Sequence, residues 1–354
     1  MFHSCIRVVA AGLLMAVNAG ADCAAARALE PANLSSEALL RLANEYAPIL
    51  LYAADEPNLP ASVDDYVATA DLWFYSDYCR TPQVKAGKLM DALRGGLALA
   101  SCRAPGETIA VTGVRSTNKK LTFYLGGIPR AERRGSGDTK QWVTYCHAYA
   151  NDLGGLTLQY WRFYRYNTGL FFGFHIDSTS HGGDWEAIHV VLGPDFKPVE
   201  IRLLGHTQIT TKPWRDVIAE NGHPIITCEK GSHTSHLATK TDVRNRRGYI
   251  EQSSWTGGAV RWPNGAETPS GPVVMLGQKS CPAPGMEWLR YSGLWGVREA
   301  SGVFSYYRSG YWGPAFNETG MRDDGFISAW CEGIATNANA SAVKKECYAA
   351  RMAP

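Results

Sequence analysis

From about residue 109 onward the chain consists of short runs rich in β-branched and aromatic residues, punctuated by Gly, Asn and Pro. The runs fall at residues 121–125, 141–149, 157–166, 187–192, 199–204, 224–228 and 272–276. Runs of this length and composition predict strands. The earlier part is different. Leu39, Leu40, Leu42, Ala43 and Tyr46 recur every three to four positions behind Ser35 or Ser36, which predicts a capped helix that Pro48 ends. Residues 46–52 then read as a strand-like run entering a turn-rich segment, 55–63, with two prolines, and residues 87–98 as a second short helix. Many short strands with long connections predict a mainly β fold, a β-sandwich with long loops, a few short helices and disulfides, rather than a doubly wound sheet. Residues 239–270 are polar, Gly-rich and charged, and read as a long surface excursion.

One stretch combines core and chemistry: His181-Gly182-Gly183-Asp184-Trp185-Glu186, followed by the apolar run Ala187-Ile188-His189-Val190-Val191-Leu192. The run predicts a buried strand with the polar hexapeptide at its N-terminal end. Side chains alternate along a strand, so Asp184, Glu186, Ile188, Val190 and Leu192 share one face and Trp185 points away from the carboxylates into the core. Two neighbouring carboxylates repel unless a proton, a base or a metal ion lies between them. His181 is close enough in sequence to bend back across the two glycines. The same spacing also fits a polar corner that caps the strand and fixes loops by hydrogen bonds. In residues 157–167, Tyr160, Arg162, Tyr164 and Tyr166 fall on one face and Trp161, Phe163 and Arg165 on the other, the pattern of a core strand more than of an aromatic binding platform.

Length and composition set the frame. The 354 residues, 45% of them hydrophobic, suffice for one large β domain or two average ones. Arg7, the apolar stretch from Val8 to Val17 and the small residues Ala19-Gly20-Ala21 have the layout of a secretory signal peptide. The stretch is too short to span a bilayer, and no later run reaches transmembrane length. The expected organisation is a signal peptide at 1–21, a flexible lead-in at 22–34 and a single β-rich domain at 35–354, secreted or periplasmic. Asp22 before Cys23 matches a lipoprotein cleavage site poorly. The formal charge of +2 loses one unit with Arg7, and the basic clusters 130–134 and 244–247 are short, so they read as solvated loop charges and predict no nucleic-acid partner. Of nine cysteines, Cys5 leaves with the signal peptide; a cut after Ala28 would also remove Cys23, and the even remainder favours the earlier cut. No pair has CxxC spacing, so the cysteines are expected to form structural disulfides in an oxidising compartment. Cys331 with Cys347 and Cys79 with Cys102 are candidate local pairs. Asn33, Asn317 and Asn339 begin sequons, which matter only on a eukaryotic secretory route.

Five blocks carry a resemblance: Tyr46-Ala47-Pro48 with the segment 55–63, Phe163-Tyr164-Arg165-Tyr166-Asn167, the hexapeptide, Gly231-Ser232-His233-Thr234-Ser235-His236, and Gly293-Leu294-Trp295-Gly296. In that order, across residues 44–316, they resemble the vacuolar protein sorting-associated protein 62 family and its plant relatives of unknown function. The hexapeptide is also similar to the heptapeptide Gly-His-Arg-His-Asp-Trp-Glu of the necrosis- and ethylene-inducing protein-like toxins, secreted β-sandwich proteins that bind a divalent cation and damage plant membranes through sphingolipid head groups. That resemblance implies a ligand pattern of His181, Asp184 and Glu186, with Asp177 the nearest candidate for a further toxin aspartate. Gly182 and Gly183 replace the toxins' Arg-His pair, so cation binding carries over better than toxin activity.

A set of one imidazole and several carboxylates suits Ca²⁺ or Mg²⁺ first, and Mn²⁺ or Zn²⁺ second. His233 is the next candidate ligand. His206 and His236 have less to recommend them, His189 reads as a core histidine, and Asp242 is a reserve carboxylate. Ser232 lacks the Gly-x-Ser-x-Gly elbow of a nucleophile. Three functions therefore stand open. The first is a secreted, cytolysin-like protein whose divalent cation recognises a membrane head group or glycan. The second is a metal-dependent hydrolase of phosphates or esters with His233 moving the proton. The third is a non-catalytic structural or sorting-type module. An enzyme is the less expected outcome, and the sequence does not specify the oligomeric state.

Overall fold

The computed structural model describes residues 34–74, 86–94, 123–151, 153–168, 170–171, 174–175, 180–204, 209–277, 281–296 and 312–316. The signal-peptide segment, Asp177, His206, the sequons and both candidate local cysteine pairs lie outside these residues.

The expected first helix is α1 (Ser36–Glu45): Ser35 is its N-cap, accepting a hydrogen bond from the Ala38 amide, and Leu39, Leu42 and Ala43 are its buried stripe. In chain order follow β1 (Ile49–Ala53), α2 (Val63–Thr69), β2 (Asp71–Phe74), α3 (Leu89–Arg94), β3 (Phe123–Gly126), β4 (Thr144–Ala150), β5 (Leu156–Asn167), β6 (Leu170–Phe171), β7 (Phe174–His175) and β8 (His181–Leu192). The second half holds β9 (Pro198–Leu204), β10 (Ile209–Pro213), β11 (Ala219–Glu220), β12 (His223–Cys228), β13 (Ser235–Leu237), α4 (Lys240–Arg244), β14 (Tyr249–Ser253), β15 (Ala259–Arg261), β16 (Glu267–Pro269) and β17 (Val273–Met275).

The fold is a β-sandwich. One sheet runs β11-β12-β1-β14-β15-β16 with β13 added on β12; the other runs β10-β9-β8-β5-β4-β17. Leu50, Tyr52, Ile226, Ile250 and Val260 of the first sheet meet Tyr164, Ile188, Ile201 and Leu203 of the second in one buried cluster. Further along the same face, Val190, Leu192 and Tyr160 pack under α1. The opposite face of the second sheet is covered too: Trp161, Phe163, Trp185 and Ala187 pack with α2, α3, Trp288 and Trp295. Hence β5 and β8 are buried on both faces, which explains why their sequences run nearly continuously apolar and aromatic.

Three expectations change. Residues 239–270 are not a surface excursion, because β14 pairs along β1 from Ile49↔Ser253 to Ala53↔Tyr249, and β15 and β16 extend the sheet. The turn-rich segment 55–63 leads into an unforeseen helix, α2, capped by Ser62. Disulfide pairing does not extend to Cys146 and Cys228, which are free and buried, whereas Cys281 is disulfide-bonded. Cys146 and Cys228 sit at interior strand positions as small apolar residues, and burial raises both thiols, Cys228 to about 11.

Candidate functional site

The site lies where β8 begins. Gly183 has φ +61, and a Cβ there would come within 2.0 Å of the Trp295 carbonyl oxygen; a Cβ on Gly296 would meet the Gly182 carbonyl at 2.1 Å. Only glycines let the start of β8 lie against this backbone. Of the two glycines that distinguish the hexapeptide from the toxin motif, Gly183 is thus set by the contact with the Trp295-Gly296 segment, whereas a Cβ on Gly182 would meet its nearest neighbour, Gly296, at 3.6 Å. Beyond them the strand is regular. Trp185 enters the Trp288–Trp295 cluster, and Asp184 and Glu186 face the sandwich interior, 2% and 3% exposed.

Two connections from the first sheet reach the same end. β1 and β12 are parallel neighbours, Leu51 pairing with Thr227, so the segments that follow them emerge together. The first brings Glu56 and Asn58; the second brings Glu229 to His233. Gly231 donates its amide to Glu56 Oε1 and Oε2 at 3.2 and 3.0 Å, and Asn58 donates its amide to Glu56 Oε1 at 3.0 Å. Ser232 Oγ donates to Glu229 at 2.5 Å. His233 takes a left-handed backbone, φ +62, which turns its ring inward. The ring stacks on Tyr164 with centroids 3.7 Å apart.

His233 is wholly buried and uses both ring nitrogens: Nδ1 lies 2.7 Å from Asp184 Oδ2, and Nε2 lies 3.0 Å from the Asn58 carbonyl and 3.5 Å from Glu56 Oε1. Burial alone would lower its pKa, but the hydrogen bonds and charges of Asp184 and Glu56 outweigh it and raise His233 to about 9. The raised pKa favours the imidazolium at neutral pH, in which Nδ1 donates to Asp184 and Nε2 to the Asn58 carbonyl. Asn167 completes the clamp, donating to Asp184 Oδ2 at 3.2 Å and to the Ser232 carbonyl at 3.1 Å.

His181 stands on the other side of Asp184. Its Nδ1 lies 3.2 Å from the Gly182 carbonyl, which can only accept, so Nδ1 carries a proton. In the neutral ring that leaves the lone pair on Nε2, 3.7 Å from Asp184 Oδ1. Glu186 makes no hydrogen bond or ion pair among the described residues. Its pKa is well above the carboxylate range, first through burial and then through the Asp184 charge, with Arg162 and His233 offsetting part of the effect. Arg162 pairs in register with Glu186 across β5 and β8 and is 1% exposed; Nη2 donates to Ser235 Oγ at 2.6 Å, while Nε and Nη1 are buried without a hydrogen-bond partner among the described residues.

The structure thus brings His181, Asp184, Glu186 and His233 to one strand end and adds Glu56, Asn58, Asn167, Arg162 and Glu229, to which sequence reasoning assigned no role. Among the described residues no three His, Cys, Asp or Glu side chains already converge as a metal site. His189 is buried inside the second sheet, its ring nitrogens without a hydrogen-bond partner among the described residues and its pKa lowered to about 3 by burial, then by Arg202 and His147; it is no part of this cluster. His236 is exposed, and Asp242 is the capping-box partner of Thr239 at α4.

Fold and site together define a β-sandwich protein with a buried, carboxylate-rich cluster at one end. No family model matches the chain, and no curated protein matches it; the resemblance to the vacuolar protein sorting-associated protein 62 family finds no support there. Solved structures do match. Necrosis and ethylene inducing protein 2 from the causal agent of cocoa's witches broom disease aligns at 13% identity and TM-score 0.32, covering 68% of this chain and 76% of that one. A structure described as a toxin fold for microbial attack and plant defense aligns at 10% identity and TM-score 0.34, covering 70% and 76%. NLPPya in complex with glucosamine aligns at 11% identity and TM-score 0.32, covering 66% and 71%. These are proteins of the toxin group that the hexapeptide resembles; at such TM-scores the likeness carries no functional argument.

Proposed function

We propose that the chain is a recognition protein acting outside the cytoplasm, in which His181, Asp184 and Glu186 hold a divalent cation that presents a binding point for a polar head group or glycan. One observation carries the cation: two carboxylates share the inward face of β8, Glu186 has no hydrogen-bond partner among the described residues, and His181 turns Nε2 toward Asp184. A separation of 3.7 Å suits neighbouring donors on one ion, since Ca²⁺–oxygen distances of about 2.3–2.6 Å set adjacent donors about 3.3–3.7 Å apart. The Nδ1 bond to a backbone carbonyl orients the ring as outer contacts orient metal-bound histidines. The ligand class follows from the motif resemblance alone. The disulfide at Cys281 and the signal-like N-terminus support an oxidising compartment.

A second function has its own observation. His233, clamped between Asp184, Asn58 and Glu56, ties the segments after β1 and β12 to β8, as a purely structural corner would. Thermal unfolding of the purified protein after chelation, then with Ca²⁺, Mg²⁺, Mn²⁺ or Zn²⁺ added back, separates the two. A ligand that binds only the folded state raises stability by about 2.7 kcal/mol at a hundredfold excess over its dissociation constant. A rise with one cation that Asp184→Asn abolishes supports the ion site; no rise with any of the four leaves the structural corner.

A further inference from the structure

A second candidate site lies on the outer face of the first sheet. In β14, Ile250 and Gln252 point inward, so Tyr249 and Glu251 point outward, and with the turn between β15 and β16 they line a groove of about 700 Å³. Its floor is rigid. Arg246 pairs with Glu251 and Glu220, and Arg261 pairs with Glu251 and Glu267, so these guanidinium groups are matched by carboxylates. Arg244 and Arg247 are not. Both are exposed, line the groove, and make no ion pair or hydrogen bond among the described residues. Trp262 lines the same groove, half-buried and packed edge-on against the buried Trp142 with centroids 5.8 Å apart and planes at 65°. Its turn is held by Trp262 N to Ala266 O at 2.8 Å and Gly265 N to Trp262 O at 2.9 Å.

The chemistry is that of a fixed aromatic surface beside two unmatched planar cations. Arginine forks match carboxylate and sulfate oxygens in pairs, and a tryptophan held from behind offers its remaining surface to a sugar ring. A membrane surface fits less well: Leu40, Leu153 and Val199, the exposed large hydrophobic residues among those described, all lie elsewhere, and interfacial binding needs apolar anchors. A net charge of +2 gives no general attraction for nucleic acid.

We propose that this groove binds an acidic oligosaccharide, a uronate- or sulfate-bearing chain, with Arg244 and Arg247 on its anionic groups and Trp262 under one sugar ring. The groove shares no residue with the cation site, so loss of one leaves the other testable. Because Tyr249 pairs with Ala53, the arginine segment stands at the same end of the sheet from which Glu56 and Asn58 reach the carboxylate cluster.

Calorimetry with the whole purified protein tests it, using a heparin-derived tetrasaccharide, an oligogalacturonide as the carboxylate-only probe, and chitotetraose as the neutral control. At least one acidic probe binds and chitotetraose does not. Arg244→Ala with Arg247→Ala weakens binding roughly tenfold or more, the size of a lost charged hydrogen bond. Removing the same charge at two exposed positions elsewhere, Lys88→Ala with Lys197→Ala, leaves it unchanged. Trp262→Ala weakens binding, and Trp262→Phe, which keeps an aromatic ring and the melting temperature, restores most of it. The proposal is overturned if neither acidic probe binds, if the lysine pair weakens binding as much as the arginine pair, or if both Trp262 variants bind like the unaltered protein. The arginine variant is expected to fold normally, since neither side chain has a partner to lose among the described residues.

Discussion

His233→Asn removes the imidazolium that joins Asp184 to Glu56 while keeping a residue that tolerates the left-handed backbone, so strain does not cloud the result. The magnitude follows from the raised pKa. Each unit is worth about 1.4 kcal/mol, and a rise from 6.5 to about 9 places about 3 kcal/mol of stability in the charged form. That agrees with the roughly 3–5 kcal/mol lost when one partner of a buried ion pair is removed. The sign is fixed by linkage. Because the folded pKa lies above the unfolded one, the contribution is fully present below the unfolded value of 6.5 and is lost as pH rises through about 9. Urea unfolding followed by tryptophan fluorescence, with chelator present, should show the gap between the natural protein and the variant at about 3 kcal/mol near pH 6, narrowing steadily to about pH 9.5. A gap that is constant over this range would refute the assignment of His233 as a buried cation.

Glu186→Gln reproduces the neutral carboxyl and should stabilise the chelated protein at neutral pH by about 1 kcal/mol or more, measured as a raised urea midpoint, because folding no longer requires a carboxylate to take up a proton or bury its charge. Gly183→Ala should cost more than about 2 kcal/mol, since φ +61 opposes a Cβ and the Trp295 carbonyl occupies its place; an unchanged melting temperature would contradict the packing described for the strand start. Cys146 and Cys228 should resist alkylation in the native protein and label in denaturant without reductant, read by mass spectrometry of their peptides; native labelling would contradict their burial.

The centre of the fold was legible because β8 obeys its period. Asp184 and Glu186 on one face and Trp185 on the other followed from alternation alone, and both faces are buried as the apolar run required. What surrounds the carboxylates was not legible. Glu56, Asn58, Asn167 and Glu229 arrive through the parallel pairing of β1 with β12 and the pairing of β5 with β8, long-range contacts with no local signature. The region 239–270 was misread because β15 and β16 have three residues each, too few for alternation to show beside their charged neighbours. For α2 the signal was present: Ser62 caps a segment in which Val63, Tyr66 and Val67 recur at helical spacing, but two nearby prolines made the stretch read as turn. The cysteine count could not tell a bonded Cys281 from a buried thiol at Cys146, since parity says nothing about which residues face a core.

The ion content of the protein tests the central claim most directly. After equilibrium dialysis against Ca²⁺ or Mg²⁺, elemental analysis should find one ion per chain in the natural protein and none in Asp184→Asn or Glu186→Gln, with all three folded. Equal ion content in the protein and both variants, or none in any, would contradict a cation held by His181, Asp184 and Glu186.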